Sequence, residues 1–127
     1  RLIYHGVIEH ATLPQLAPQL DVLMMPFKLT KVVESVDPVK LYEYIFMRKP
    51  IISIWYEEIK RFAPFVLFYQ NEEMFTFHLK QLLVGKIPIY SDEQTQNFLA
   101  ENSWGCRAKQ IQQAIMDYTL LNEKHEF

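Results

Sequence analysis

The segment Val36-Asp37-Pro38-Val39-Lys40-Leu41-Tyr42-Glu43-Tyr44 carries the side chains best suited to chemistry. Asp37 has the residue type of a helix N-cap, and Pro38 suits the first helical position. A helix that starts there offers free backbone N–H groups and a partial positive charge, which together suit phosphate. At about 100° per residue, Val39, Leu41, Tyr42, Ile45 and Phe46 fall on one broad face. Lys40 and Glu43 fall together on the opposite side, one turn apart. A cation in the first turn can hold a diphosphate. A carboxylate one turn further can accept hydrogen bonds from two ribose hydroxyls. The same spacing also describes an ordinary i, i+3 ion pair on a solvated face, worth about 0.2–0.5 kcal/mol. Asp37 favours that plainer reading, because a carboxylate at the cap competes with a phosphate.

The surrounding elements must position this helix. Four short apolar runs stand out: Leu2 to Tyr4, Val22 to Met25, Ile51 to Ile54 and Val66 to Tyr69. They are continuous rather than alternating, as in strands of a parallel sheet buried on both faces. Helical or turn-rich segments lie between them: Leu13 to Leu20, broken by Pro14 and Pro18; Pro38 to Met47; a single turn over Glu57 to Phe62; and Glu72 to Val84. Asn71 is the N-cap of the last, with Leu79, Leu82 and Leu83 on one face. Gly85 to Ile89 reads as a loop. Ser91-Asp92-Glu93-Gln94 is a capping box that opens a helix to about Glu101. A final helix carries Trp104, Ala108, Ile111, Ile115 and Tyr118 at helical spacing. Alternating strands and helices predict an α/β fold, a parallel sheet with flanking helices and a helical C-terminal end. The loop from Phe27 to Val36 then lies at the carboxyl ends of the strands, where such sheets bind ligands.

Composition narrows the function classes. With 13 Lys+Arg against 15 Asp+Glu, the net charge is -2, so a strongly basic nucleic-acid binder is excluded as the default. One cysteine, Cys106, allows no intrachain disulfide framework and no cysteine-rich zinc site, and its default role is a buried inert thiol. No metal-ligand pattern surrounds His5 or His10, which read as solvated or capping. Trp55-Tyr56 follows the third apolar run, where a ligand loop or simple packing is expected. No apolar run is long enough to span a bilayer. Cytoplasmic placement is the expectation, with peripheral association at the inner membrane face as an option for a longer protein. Arg1 begins the chain, and an apolar run starts at residue 2. A fragment of a longer protein is therefore expected, with apolar surface left exposed and a tendency to self-associate.

Asp37 to Tyr44, followed by Lys49-Pro50-Ile51-Ile52-Ser53, resembles the nucleotide-sugar-binding half of a GT-B glycosyltransferase. The family pattern is Pro-x-Lys-hydrophobic-Tyr-Glu-Tyr, a short helix, Gly-Lys-Pro, then a buried strand ending in Ser or Thr. Gly6-Val7, Leu13-Pro14, Asp21-Val22, Pro26-Phe27, Asn102-Ser103-Trp104 and Arg107 match further pieces in order. The resemblance implies a partial Rossmann-like domain over residues 1–127, with the acceptor domain and the first β/α units missing. It implies a nucleotide diphosphate sugar as donor, no separate cofactor and no metal. By that resemblance Glu43 binds the donor ribose, and Pro38, Val39 and Lys40 approach the diphosphate. Relatives carry an earlier Glu directed at the donor sugar, eight positions before the ribose-binding one. That position is Ser35 here, and Glu34 lies one residue out of register as the candidate. The family Gly before Lys-Pro is Arg48, which implies a different or strained helix ending. A non-catalytic nucleotide- or protein-binding module and a GT-B-fold nucleotide-sugar epimerase are the alternatives.

Overall fold

A continuous apolar run becomes a parallel strand only where neighbours cover both of its faces. Three of the four runs form strands in a computed structural model, which describes residues 3–86 and 90–123, although Met24 of the first is 38% exposed. The strands are β1 (Leu23–Met25), β2 (Ile51–Ile54) and β3 (Val66–Tyr69). They form one parallel sheet in the order β1-β2-β3, with Leu23 opposite Ile51 and Ile51 opposite Val66. Of the fourth run, Leu2 lies outside the described residues, while Ile3 and Tyr4 are in no strand and are 61% and 86% exposed. The expected first strand is therefore corrected. No described residue covers these two side chains enough to bury them, and Gly6 takes φ +73° soon after them.

The helices are α1 (Leu13–Leu16), α2 (Lys31–Glu34), α3 (Val39–Phe46), α4 (Glu72–Leu83), α5 (Asp92–Glu101) and α6 (Trp104–Glu123). Turns of 3₁₀ helix flank α1 at His10–Thr12 and Ala17–Gln19, and another spans Glu57–Phe62 between β2 and β3. The chain divides into two compact units, Arg1–Tyr90 and Ser91–Phe127.

The first unit holds the sheet. Ile51, Ile52, Leu41, Ile45, Ile59 and Phe62 are fully buried there. Ser53 is the buried polar residue of β2, and its hydroxyl donates to the Ile54 carbonyl at 3.0 Å. Asn71 caps α4 as expected, its side chain accepting from the Met74 N–H at 2.9 Å. At the other end, Gly85 takes φ +72° and donates to the Leu82 carbonyl, while Lys86 donates to that of Gln81. This paired closure needs a left-handed residue, which glycine supplies without steric cost. Leu83, expected on the apolar face of α4, is instead 86% exposed. Of the loop that follows, residues 87–89 lie outside the described part.

The second unit holds α5 and α6. Its capping box is complete: Ser91 Oγ accepts from Gln94 N–H at 3.1 Å, and Gln94 Oε1 accepts from Ser91 N–H at 2.8 Å. The apolar spacing of α6 gives a helix, but Trp104, Ile111, Ile115 and Tyr118 are between 61% and 85% exposed. Cys106 is half-buried, and Gln110 lies beside its sulfur. No helix among the described residues is long and apolar enough to cross a membrane.

Helix α3 buries a narrower stripe than its apolar content suggests. Leu41 and Ile45 have no exposed surface, whereas Val39 and Phe46 are 60% and 68% exposed. Both lie about 120–140° around the helix from the buried stripe, too far to reach the core. Truncating Ile45→Ala should cost about 2–5 kcal/mol, because a fully buried branched side chain leaves a cavity. Phe46→Ala, one residue on, should stay within about 0.5 kcal/mol. Urea denaturation of the two variants checks the contrast, and equal losses would contradict this placement of the stripe.

Candidate functional site

Helix α3 begins differently from the sequence expectation. Pro38, not Asp37, is the N-cap residue, with extended backbone at φ -81° and ψ 111° and no side-chain cap. Asp37 is diverted by Arg61, whose Nη2 contacts its carboxylate and also donates to the Tyr42 hydroxyl at 3.0 Å. The Arg61 guanidinium lies over the Phe62 ring, 4.9 Å from its centre, and Tyr42 meets Phe62 edge-on at 4.9 Å. A planar cation stacked on an aromatic face is held more firmly than a free surface arginine. The carboxylate expected to compete with an anion at the start of α3 is thus engaged elsewhere.

The far end of α3 bears out the expectation for Arg48. It takes φ +56° and donates its N–H to the Ile45 carbonyl at 3.0 Å. This is the left-handed ending at which glycine is usual, reached here by a residue with a Cβ at a cost of about 1–2 kcal/mol.

Lys40 and Glu43 lie on the side of α3 away from the buried stripe and border one groove of about 760 Å³. Leu16, Leu20 and Leu23 give the groove an apolar wall, and Tyr44 adds a phenol. The two do not pair with each other. Glu43 Oε1 instead accepts from His10 Nε2 at 2.9 Å, and its side chain is 30% exposed. A second cleft of about 340 Å³ lies beside this pair, lined by Pro14, Tyr42 and Phe46. Glu43, Leu13 and Met47 border both spaces, so the His10–Glu43 contact stands at their common edge.

Of the other expected site residues, Pro38 is buried and Val39 is exposed at the first helical position. Neither borders the groove. Glu34 ends α2, is exposed, and does not border it either. Ser35 closes that helix by donating to the Val32 carbonyl at 2.9 Å. Tyr56 is a packing residue, 2% exposed, whose hydroxyl donates to the Val36 carbonyl at 3.2 Å and ties the 3₁₀ turn to the segment before α3. Sequence reasoning reads His10 as solvated or capping, and its side chain is 80% exposed, but it does not reveal the contact with Glu43 and does not single out Arg61. Their partners lie 33 and 24 residues away along the chain, and no local pattern announces such pairs. No group of three metal-ligating side chains comes together among the described residues. No family model, curated protein or solved structure matches the chain.

Burial raises the phenol pKa of Tyr44, with the Glu43 charge adding to it, and raises that of Tyr56, with Asp37 adding. Tyr69 and Tyr90 are raised by burial alone. The folded state therefore holds these protons more tightly than the unfolded chain, whose phenols titrate near 10.0. The resulting stability is complete below about pH 10 and is lost as the pH climbs through the folded-state values. Thermal melts between about pH 8 and pH 11 should show a falling midpoint only above pH 10. A Tyr44→Phe, Tyr56→Phe double variant should show a shallower fall.

Proposed function

We propose that this chain is the donor-binding part of a GT-B glycosyltransferase, holding a nucleotide diphosphate sugar for transfer to an acceptor. One observation carries the reading: Lys40 and Glu43 share a large groove on the outer face of a helix that follows a parallel strand. A parallel α/β sheet with flanking helices is compatible with a Rossmann-like domain. In this reading Glu43 accepts from the ribose hydroxyls, and Lys40 and the Val39 end of α3 attract the diphosphate. Glu34, which lies outside the lining of the groove, is the candidate for contact with a donor sugar that extends beyond it.

The chemistry needs little from the protein beyond charge placement. The bond from the anomeric carbon to the diphosphate oxygen breaks, and the diphosphate leaves with the electron pair. The acceptor oxygen forms the new bond and releases its proton to water or to the departing diphosphate. A fixed cation near the leaving oxygens stabilises the charge that develops there. Acceptor-binding groups belong to a second domain in this reading, so the 127-residue chain binds donor without turning it over. Cytoplasmic action on a soluble donor follows from the same proposal.

Calorimetric titration with nucleosides and nucleoside diphosphates tests it. Glu43→Ala removes charge-assisted hydrogen bonds of about 1.5–3 kcal/mol, a loss of roughly 10- to 150-fold in affinity. Lys40→Ala should weaken the diphosphates and leave the nucleosides nearly unchanged. Neither variant should shift the melting midpoint much, since both side chains lie away from the buried stripe. Unchanged affinity in both folded variants would return the two residues to an ordinary polar helix face.

A further inference from the structure

We propose that His10 is the positioning residue for ribose recognition: its bond to Glu43 fixes the carboxylate so that it can grip two adjacent hydroxyls. The inference rests on the nucleotide reading of Glu43 and adds a residue that neither motif nor resemblance indicates. A carboxylate accepts and cannot donate, so Nε2 of His10 carries the proton in this contact. That bond uses one lone pair of Oε1. The second lone pair of Oε1 and both of Oε2 take no hydrogen bond among the described residues. A vicinal diol needs two such acceptor sites held at fixed spacing.

Without His10 no hydrogen bond among the described residues would fix the Glu43 carboxylate; its stem is partly covered, at 30% exposure, but the carboxylate group itself could still turn. A freely turning carboxylate can still meet one hydroxyl, but it must lose its freedom again to meet two. Ordering the carboxylate is an entropic cost that would otherwise fall on the binding step. Here the ordering is done before the ligand arrives, which is how preorganisation raises affinity. The anchor is well placed for this task. His10 sits in the 3₁₀ turn before α1, and Glu43 in the middle of α3, so the bond joins two separate elements at the edge of the groove. The His10 side chain is itself 80% exposed, and little of the fold depends on it.

The test compares ribose with 2′-deoxyribose. Uridine, adenosine and guanosine diphosphates and their 2′-deoxy counterparts are titrated into the full 127-residue chain and its variants. The wild-type chain should prefer the ribose forms. His10→Ala should weaken a ribose form by roughly 3- to 10-fold, the size of one net hydrogen bond, and barely affect its deoxy form. His10→Gln, whose side-chain amide can still donate, should restore most of the preference. Melting midpoints of all variants should match wild type. Equal losses on both sugars would make His10 merely structural and overturn the proposal. So would a preference that Glu43→Gln abolishes and His10→Ala leaves intact, with the nucleotide reading still standing. If the wild-type chain binds none of the six nucleotides, the nucleotide reading fails, and this inference fails with it.

Discussion

Two parallel strands cannot be joined by a tight turn. The chain must leave one strand at its carboxyl end, cross the sheet and re-enter the next at the opposite end. The pairing of β1 with β2, Leu23 against Ile51, therefore dictates that the residues between them include a crossover. Helix α3 lies in that crossover, with Leu41 and Ile45 fully buried. Once those two positions are inside, helical geometry puts Lys40 and Glu43 outside. The placement of the candidate site is a consequence of strand pairing and two buried side chains.

Charge around α3 is sorted by partners drawn from elsewhere in the first unit. Arg61, from the turn after β2, takes Asp37 away from the helix start. His10, from the turn before α1, takes Glu43. Lys40 remains an exposed cation without an ion-pair partner among the described residues, one helical turn from the carboxylate. The arrangement leaves opposite charges separated along one groove, as a ligand with a polar sugar at one point and an anionic group at another requires. Only the His10 end of these contacts is widely exposed, at 80%, and a pair with one end in solvent contributes modestly to stability.

Local chemistry made much of this legible in the sequence. The capping box at Ser91, the Asn71 cap and the buried runs Ile51–Ile54 and Val66–Tyr69 each depend on residues close together in the chain. At Arg48 a different or strained helix ending was expected, and the residue takes the left-handed conformation at φ +56°. Three readings were limited by the absence of tertiary information. The run at Ile3 and Tyr4 is apolar enough for a strand but is left exposed by the described residues. Asp37 has the type of a cap, yet a distant arginine outcompetes the helix for it. Val39 and Phe46 are hydrophobic but point too far round the helix to be buried. In each case residue type stated a preference and a partner distant in sequence, or its absence, decided the outcome.

In the proposed function the outer face of α3 receives a nucleoside diphosphate. Backbone and imidazole resonances of the isotopically labelled chain, followed by NMR as uridine diphosphate is added, test it most directly. Saturable shifts concentrated at His10, Val39, Lys40 and Glu43 are expected. Saturable shifts that cluster elsewhere, leaving α3 and His10 untouched, would contradict it.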